Sequence, residues 1–125
     1  MFGIFRALKR RRLRRRPFPC AWLPILEAEV PFYAELAPEL RERFREQLKC
    51  FVWEKHFIPA GGMTITEEVK VVIAAAAVRL ILHLDLSAYD RLTEIVVYPS
   101  HFVDEERDGV IFGLAQDWGT VVLSW

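Results

Sequence analysis

Three histidines, His56, His83 and His101, are the only imidazoles in this chain, and their spacing decides what chemistry they could share. A His-Glu-x-x-His run sets two imidazoles one turn apart on a helix face to bind zinc, with the glutamate as general base. No such run occurs. His83 stands near Asp85 and four residues before Ser87, the residue types of a base, an orienting carboxylate and a nucleophile. Such a triad is recognised by geometry rather than spacing, and the plainer reading is a hydrogen-bonded histidine at a helix end. His101 precedes Asp104, Glu105, Glu106 and Asp108, carboxylates that could attract a cation. They lack the alternating ligands and glycine of a calcium loop, and such stretches are usually solvated. Gly61-Gly62 has the composition of a phosphate cradle, but no lysine follows at the required spacing, so it reads as a sharp turn. Cys20 and Cys50 are too few for a disulfide framework and fit no zinc spacing, which leaves two reduced thiols. From the residues, no catalytic and no metal-binding side chain is assigned.

The charge is unevenly placed. The chain has 125 residues, the size of one domain, and a formal net charge of zero. Residues 1–16 hold eight basic groups and no acid, whereas residues 17–125 hold nine basic and seventeen acidic groups, a net of −8. Repulsion among the eight, and Pro17 and Pro19 after them, predict a disordered arm over 1–19. It is either a solvated tail or a contact for anionic lipid or nucleic acid, through Arg10, Arg11, Arg12, Arg14, Arg15 and Arg16. Phe2, Ile4, Phe5 and Leu8 among the cations favour a membrane surface, and no motif for specific nucleic-acid recognition accompanies them. No secretory signal is visible. The longest apolar run, residues 71–78, is far short of the roughly 18 residues of a membrane span, so a soluble cytoplasmic protein is expected.

Hydrophobic residues make up 53% of the chain, enough for a core. Trp22, Leu23, Leu26 and Val30 line one face of a short helix, and Pro31 opens a second short turn. Pro38 suits the first turn of a longer helix, with Leu40, Phe44, Leu48, Phe51 and Val52 at helical spacing, ending near Lys55. Residues 56–62 read as a connector. Thr64 with Glu67 forms a capping box, with Thr66 as the alternative cap, for a helix from about Glu67 to Leu84. Val69, Val72, Ile73, Ala76, Leu80 and Leu84 form its stripe, and Ala74, Ala75 and Ala77 make it apolar almost all round, as suits a buried central helix. Residues 85–90 read as a turn and residues 93–98 as a strand ended by Pro99. Residues 100–108 are polar, Gly109 to Phe112 is extended, residues 116–119 are a hairpin-like turn, and Gly119 to Trp125 is a last strand. Helices followed by a small sheet give an α+β pattern.

Five segments, in order, resemble the opening of the Mlc titration factor A family of zinc-dependent peptidases. They are Trp22 and Leu26 with residues 30–36, residues 51–57, residues 65–69 with the apolar run, residues 95–99, and residues 119–125. The likeness covers residues 20–125 and implies an incomplete zincin-like domain, truncated before the metal site. In that family the strand ending Leu-Ser-Trp leads on to a His-Glu-Phe-x-His zinc helix and a downstream glutamate ligand, none of which is present here. The turn at Gln116-Asp117-Trp118 departs from the glutamate–alanine–tryptophan-like form of the family.

The resemblance implies zinc in the full-length family and none in this chain, and an aminopeptidase-like activity that these residues alone lack. It also implies a glucose-responsive transcriptional repressor as partner, and a position for Val121, Val122, Leu123, Ser124 and Trp125 beside the substrate cleft. Left unpartnered, that terminal strand is expected to present an exposed edge and to self-associate.

Overall fold

The computed structural model describes residues 2–84, 86–99, 102–104, 109–111, 113–115 and 119–125. Four α-helices precede the first strand: α1 (Phe2–Arg15), α2 (Trp22–Glu29), α3 (Phe32–Glu35) and α4 (Pro38–Glu54). Then come β1 (His56–Pro59), α5 (Glu67–Leu80), a 3-10 turn (Leu86–Tyr89), β2 (Glu94–Tyr98), β3 (Phe102–Asp104), β4 (Gly109–Ile111), β5 (Gly113–Ala115) and β6 (Thr120–Ser124). The class is α+β.

Pro38 begins α4, and Phe44, Leu48, Phe51 and Val52 are buried on it. The rings of Phe32 and Phe44 meet edge to face at 5.3 Å, as do Phe18 and Trp22 at 5.4 Å. Trp22 ties α2 to the start of α5 by donating its indole N–H to Glu67 Oε2 at 3.0 Å. The cap of α5 is Thr66, whose Oγ1 accepts from the Val69 N–H at 3.2 Å.

α5 ends at Leu80, one turn before the expected Leu84. Past its end, Arg43 on α4 donates from Nε to the Leu82 carbonyl at 2.7 Å and from Nη2 to the Leu84 carbonyl. These bonds satisfy carbonyls in the segment past the helix end. Its buried face also differs from the expected stripe. Val69, Val71, Ala74, Ala75 and Val78 are buried, while Val72 and Ile73 are half-buried, Ala76 is exposed and Leu80 is 78% exposed. The helix is apolar on every side, so periodicity alone selects no face. Close approach to α2 and α4 does, and it favours the side carrying Ala74 and Ala75.

The main sheet has the order β1-β2-β6-β5, with β1, β2 and β6 parallel and β5 antiparallel to β6. Residues 56–59, expected as a connector, are thus a strand, held by pairing His56 to Glu94 and Phe57 to Ile95. Ile95 and Val97 are fully buried beneath the helices, and Phe51 of α4 meets Phe57 across the layer at 6.5 Å. Gly61 and Gly62, at φ +58° and +82°, make the sharp turn after β1.

Two further expectations change. Residues 102–104 form β3, paired antiparallel to β4, where a polar loop was expected. The terminal strand is no exposed edge: β6 lies between β2 and β5 and is paired on both sides, so the sheet edges are β1 and β5. Gly119 sets its entry. Its φ is +87°, a Cβ there would fall 2.1 Å from the Arg91 carbonyl oxygen, and its own carbonyl accepts from the Thr93 N–H at 2.9 Å. The turn at residues 116–118 lies outside the described residues.

The N-terminal arm, expected to be disordered, is the helix α1 docked on α4. Three devices offset its self-repulsion. Arg10 is neutralised by carboxylates, and Leu13 joins the hydrophobic core. The buried Lys49 on α4 donates Nζ to the carbonyls of Arg14 and Arg16 at 2.7 Å each, closing the end of the helix.

Candidate functional site

Among the described residues, ionisable groups cluster where α1, the end of α4 and Asp90 meet. Arg10, 7% exposed, donates from Nε to Glu54 Oε2 at 3.0 Å and from Nη2 to Glu54 Oε1 at 2.8 Å. Nη2 also reaches Asp90 Oδ1 at 2.7 Å, and Arg6 pairs with Asp90 Oδ2 at 3.1 Å. Lys55 stands 3.7 Å from Glu54 and donates Nζ to the Tyr89 carbonyl at 2.8 Å. A depression of about 280 Å³ opens beside the cluster, lined by Arg6, Lys9, Lys55, His56 and Thr93 among others.

Electrostatics explains what this junction does. Burial works against the Glu54 and Asp90 charges, but the bonds from Arg10 outweigh it and hold both carboxyls below their ordinary range. Burial likewise opposes the Arg10 charge, and Glu54 and Asp90 overcome it and push its pKa up. Burial lowers Lys55, with Glu54 opposing. Both carboxylates are claimed by a guanidinium and the amine is bonded to a backbone carbonyl. The cluster therefore fastens α1 to the body.

The arginines singled out in the sequence divide into two sets. Arg10 is internal, Arg14 and Arg16 give their carbonyls to Lys49, and the Arg16 guanidinium lies 3.9 Å over the Trp53 ring. Arg11, Arg12 and Arg15 lie on the outer side of α1 and are exposed, as are Arg14 and Arg16. The strand residues Val121, Val122, Leu123 and Ser124 are half-buried within the sheet and Trp125 is exposed beyond it.

His56 is exposed at the start of β1, and His83 and Ser87 are exposed between α5 and β2. Asp85, His101, Glu105, Glu106 and Asp108 lie outside the described residues. Cys50 is buried, its thiol pushed up by burial and directed to the Arg10 carbonyl at 3.8 Å, while Cys20 is exposed. Among the described residues no three histidine, cysteine, aspartate or glutamate side chains converge as metal ligands. Glu54 and Asp90 were not legible as site residues, because no spacing in sequence links them to Arg10.

Comparison with known proteins bears on the whole chain. The model of the family described as glucose-regulated metallo-peptidase M90 matches residues 5–125. An uncharacterized protein of Synechocystis sp. is 36% identical over 94% of this chain and 47% of its own length. Mlc titration factor A of Enterobacter sp. is 28% identical over 86% of this chain and 45% of its own. Mlc titration factor A of Serratia proteamaculans is 27% identical over 77% and 41%. The chain thus spans less than half the length of each of these relatives. With the family's pattern running along nearly every residue from α1 to β6, the chain belongs to the glucose-regulated metallo-peptidase M90 family.

Proposed function

We propose that these 125 residues are the scaffold portion of a cytoplasmic zinc-dependent peptidase with aminopeptidase-like activity, and that alone they hydrolyse no peptide. The observation that carries this reading is a family match from residue 5 to 125 in a sequence without a His-Glu-x-x-His run. Zinc hydrolases need protein ligands that leave one coordination position open, so that the metal can generate hydroxide near neutral pH and polarise the scissile carbonyl. On this proposal the ligand set is supplied by residues other than these 125. What this chain supplies is a rigid support, three parallel strands backed by α4 and α5. The end of β6, with Trp125 exposed, is the proposed approach to the substrate cleft.

The name shared by two of the relatives makes a Mlc-type transcriptional repressor the proposed protein partner of the whole protein. The test is to measure zinc content and peptide-anilide hydrolysis of residues 1–125, and of a chimera with the remaining half of the Synechocystis relative joined after Trp125. We expect neither zinc nor turnover in the first and both in the second. Stoichiometric zinc with metal-dependent turnover in residues 1–125 would overturn the reading, as would a well-folded chimera that binds no zinc. Retention of the repressor on immobilised chimera checks the partner.

A further inference from the structure

α1 is amphipathic with its charge turned inward. The stripe against the body is Arg6, Arg10 and Leu13, with two of its three side chains cationic. The opposite stripe begins with Ile4, Phe5 and Leu8, which are 66%, 66% and 54% exposed, Phe5 also bordering the depression beside Glu54 and Asp90, and continues with Arg11, Arg12 and Arg15. At 3.6 residues per turn these six residues occupy one arc of about 120°. Leu8, Arg11, Arg12 and Arg15 line one shallow depression. A helix stabilised only by its own domain places apolar groups inside and charges outside. Here the inward cation is matched to Glu54 and Asp90, while the three large apolar side chains face solvent.

We propose that the outward face of α1 docks on a bilayer containing anionic phospholipid. Ile4, Phe5 and Leu8 enter the boundary between headgroups and acyl chains, and Arg11, Arg12 and Arg15 meet the lipid phosphates. Charge complementarity fits: residues 1–16 contain no acid that would oppose an anionic surface. The apolar half decides between anionic partners, because a phosphate backbone engages the arginines but leaves Ile4, Phe5 and Leu8 in water. The helix lies along the surface rather than through it, since no described helix is long and apolar enough to cross. The grip of Glu54 and Asp90 on Arg10 forms α1 in advance, so no folding cost is met at the surface. The inference is independent of the peptidase reading.

The test uses the 125-residue chain with phosphatidylcholine vesicles, the same vesicles containing phosphatidylglycerol, and a DNA duplex, each at low and high salt. The chain should sediment with the anionic vesicles only, and less at high salt. A triple variant Arg11→Gln, Arg12→Gln, Arg15→Gln should bind about 100-fold more weakly. A second, Ile4→Ser, Phe5→Ser, Leu8→Ser, should bind at least about 10-fold more weakly, both with unchanged melting. If the serine variant melts early, the glutamine variant, which removes only exposed groups, decides alone. The proposal is overturned by no vesicle binding at low salt, by binding that survives a well-folded variant, or by duplex binding tighter than vesicle binding.

Discussion

The guanidinium of Arg10 grips the Glu54 carboxylate through two hydrogen bonds, Nε at 3.0 Å and Nη2 at 2.8 Å, between residues 44 positions apart. It joins the N-terminal helix to the end of α4, alongside the bonds from Lys49 to the Arg14 and Arg16 carbonyls, and the same nitrogen Nη2 extends it to Asp90. Arginine suits the place because its planar fork serves both oxygens of a carboxylate while still reaching a second acid.

Arg10→Met roughly keeps the side-chain volume and leaves Glu54 with Lys55, at 3.7 Å, and the charge of Lys9. We expect a loss of about 3 kcal/mol in urea unfolding, at the low end for a broken buried pair. Adding Glu54→Gln to that variant should recover part of the loss, since the unpaired charge is then gone. A loss under about 0.5 kcal/mol would show that α1 is held by other contacts.

Acid should release the helix. The unfolded values of Glu54 and Asp90 are 4.5 and 3.8, and the folded values lie lower. The folded state then binds fewer protons than the unfolded chain in this range. The stability from these two groups is fully present above 4.5 and is lost as pH falls through the folded values. The melting temperature should hold from neutral pH to about 4.5 and fall below it, more steeply in the wild type than in Arg10→Met.

Two substitutions on α5 separate its inner and outer faces. Val71→Ala, at a fully buried position, should cost about 2 kcal/mol. Leu80→Ala, at a residue 78% exposed, should stay within about 0.5 kcal/mol. Equal costs would mean that the helix is turned differently against α2 and α4.

Gly119→Ala should disturb the entry to β6. The backbone sits at φ +87° and the new methyl would meet the Arg91 carbonyl at 2.1 Å. We expect a loss of about 2 kcal/mol or more, with weakened amide-exchange protection at Thr93 and Glu94, whose N–H groups bond the Gly119 carbonyl. Unchanged protection would remove this glycine from the frame of the sheet.

Elements whose burial follows apolar periodicity were legible in the sequence. Pro38 and the spacing of Phe44, Leu48 and Phe51 placed α4, and β-branched density placed β2. α1 was not legible, because its inward stripe is Arg6, Arg10 and Leu13 and the acids that neutralise it are distant in the chain. β1 was hidden by its brevity and by Pro59, since a four-residue strand is defined by its neighbour more than by its own composition. For α5 the boundary and the face both depended on packing, which a sequence apolar almost all round does not record. Family kinship was legible in five ordered segments, whereas the ionic junction of Arg10, Glu54 and Asp90 exists only after the chain folds.

The placement of β6 has a kinetic meaning. Among the described strands it lies between β2 and β5, both of which precede it in sequence. Neither of those strands can complete its pairing until Thr120 to Ser124 arrives. During synthesis α1 to α5 can collapse early through local contacts, while β2 waits with one edge open. A ribosome stalled just short of Gly119 should hold a helical, protease-sensitive intermediate, and the arrival of β6 should join β2 to β5.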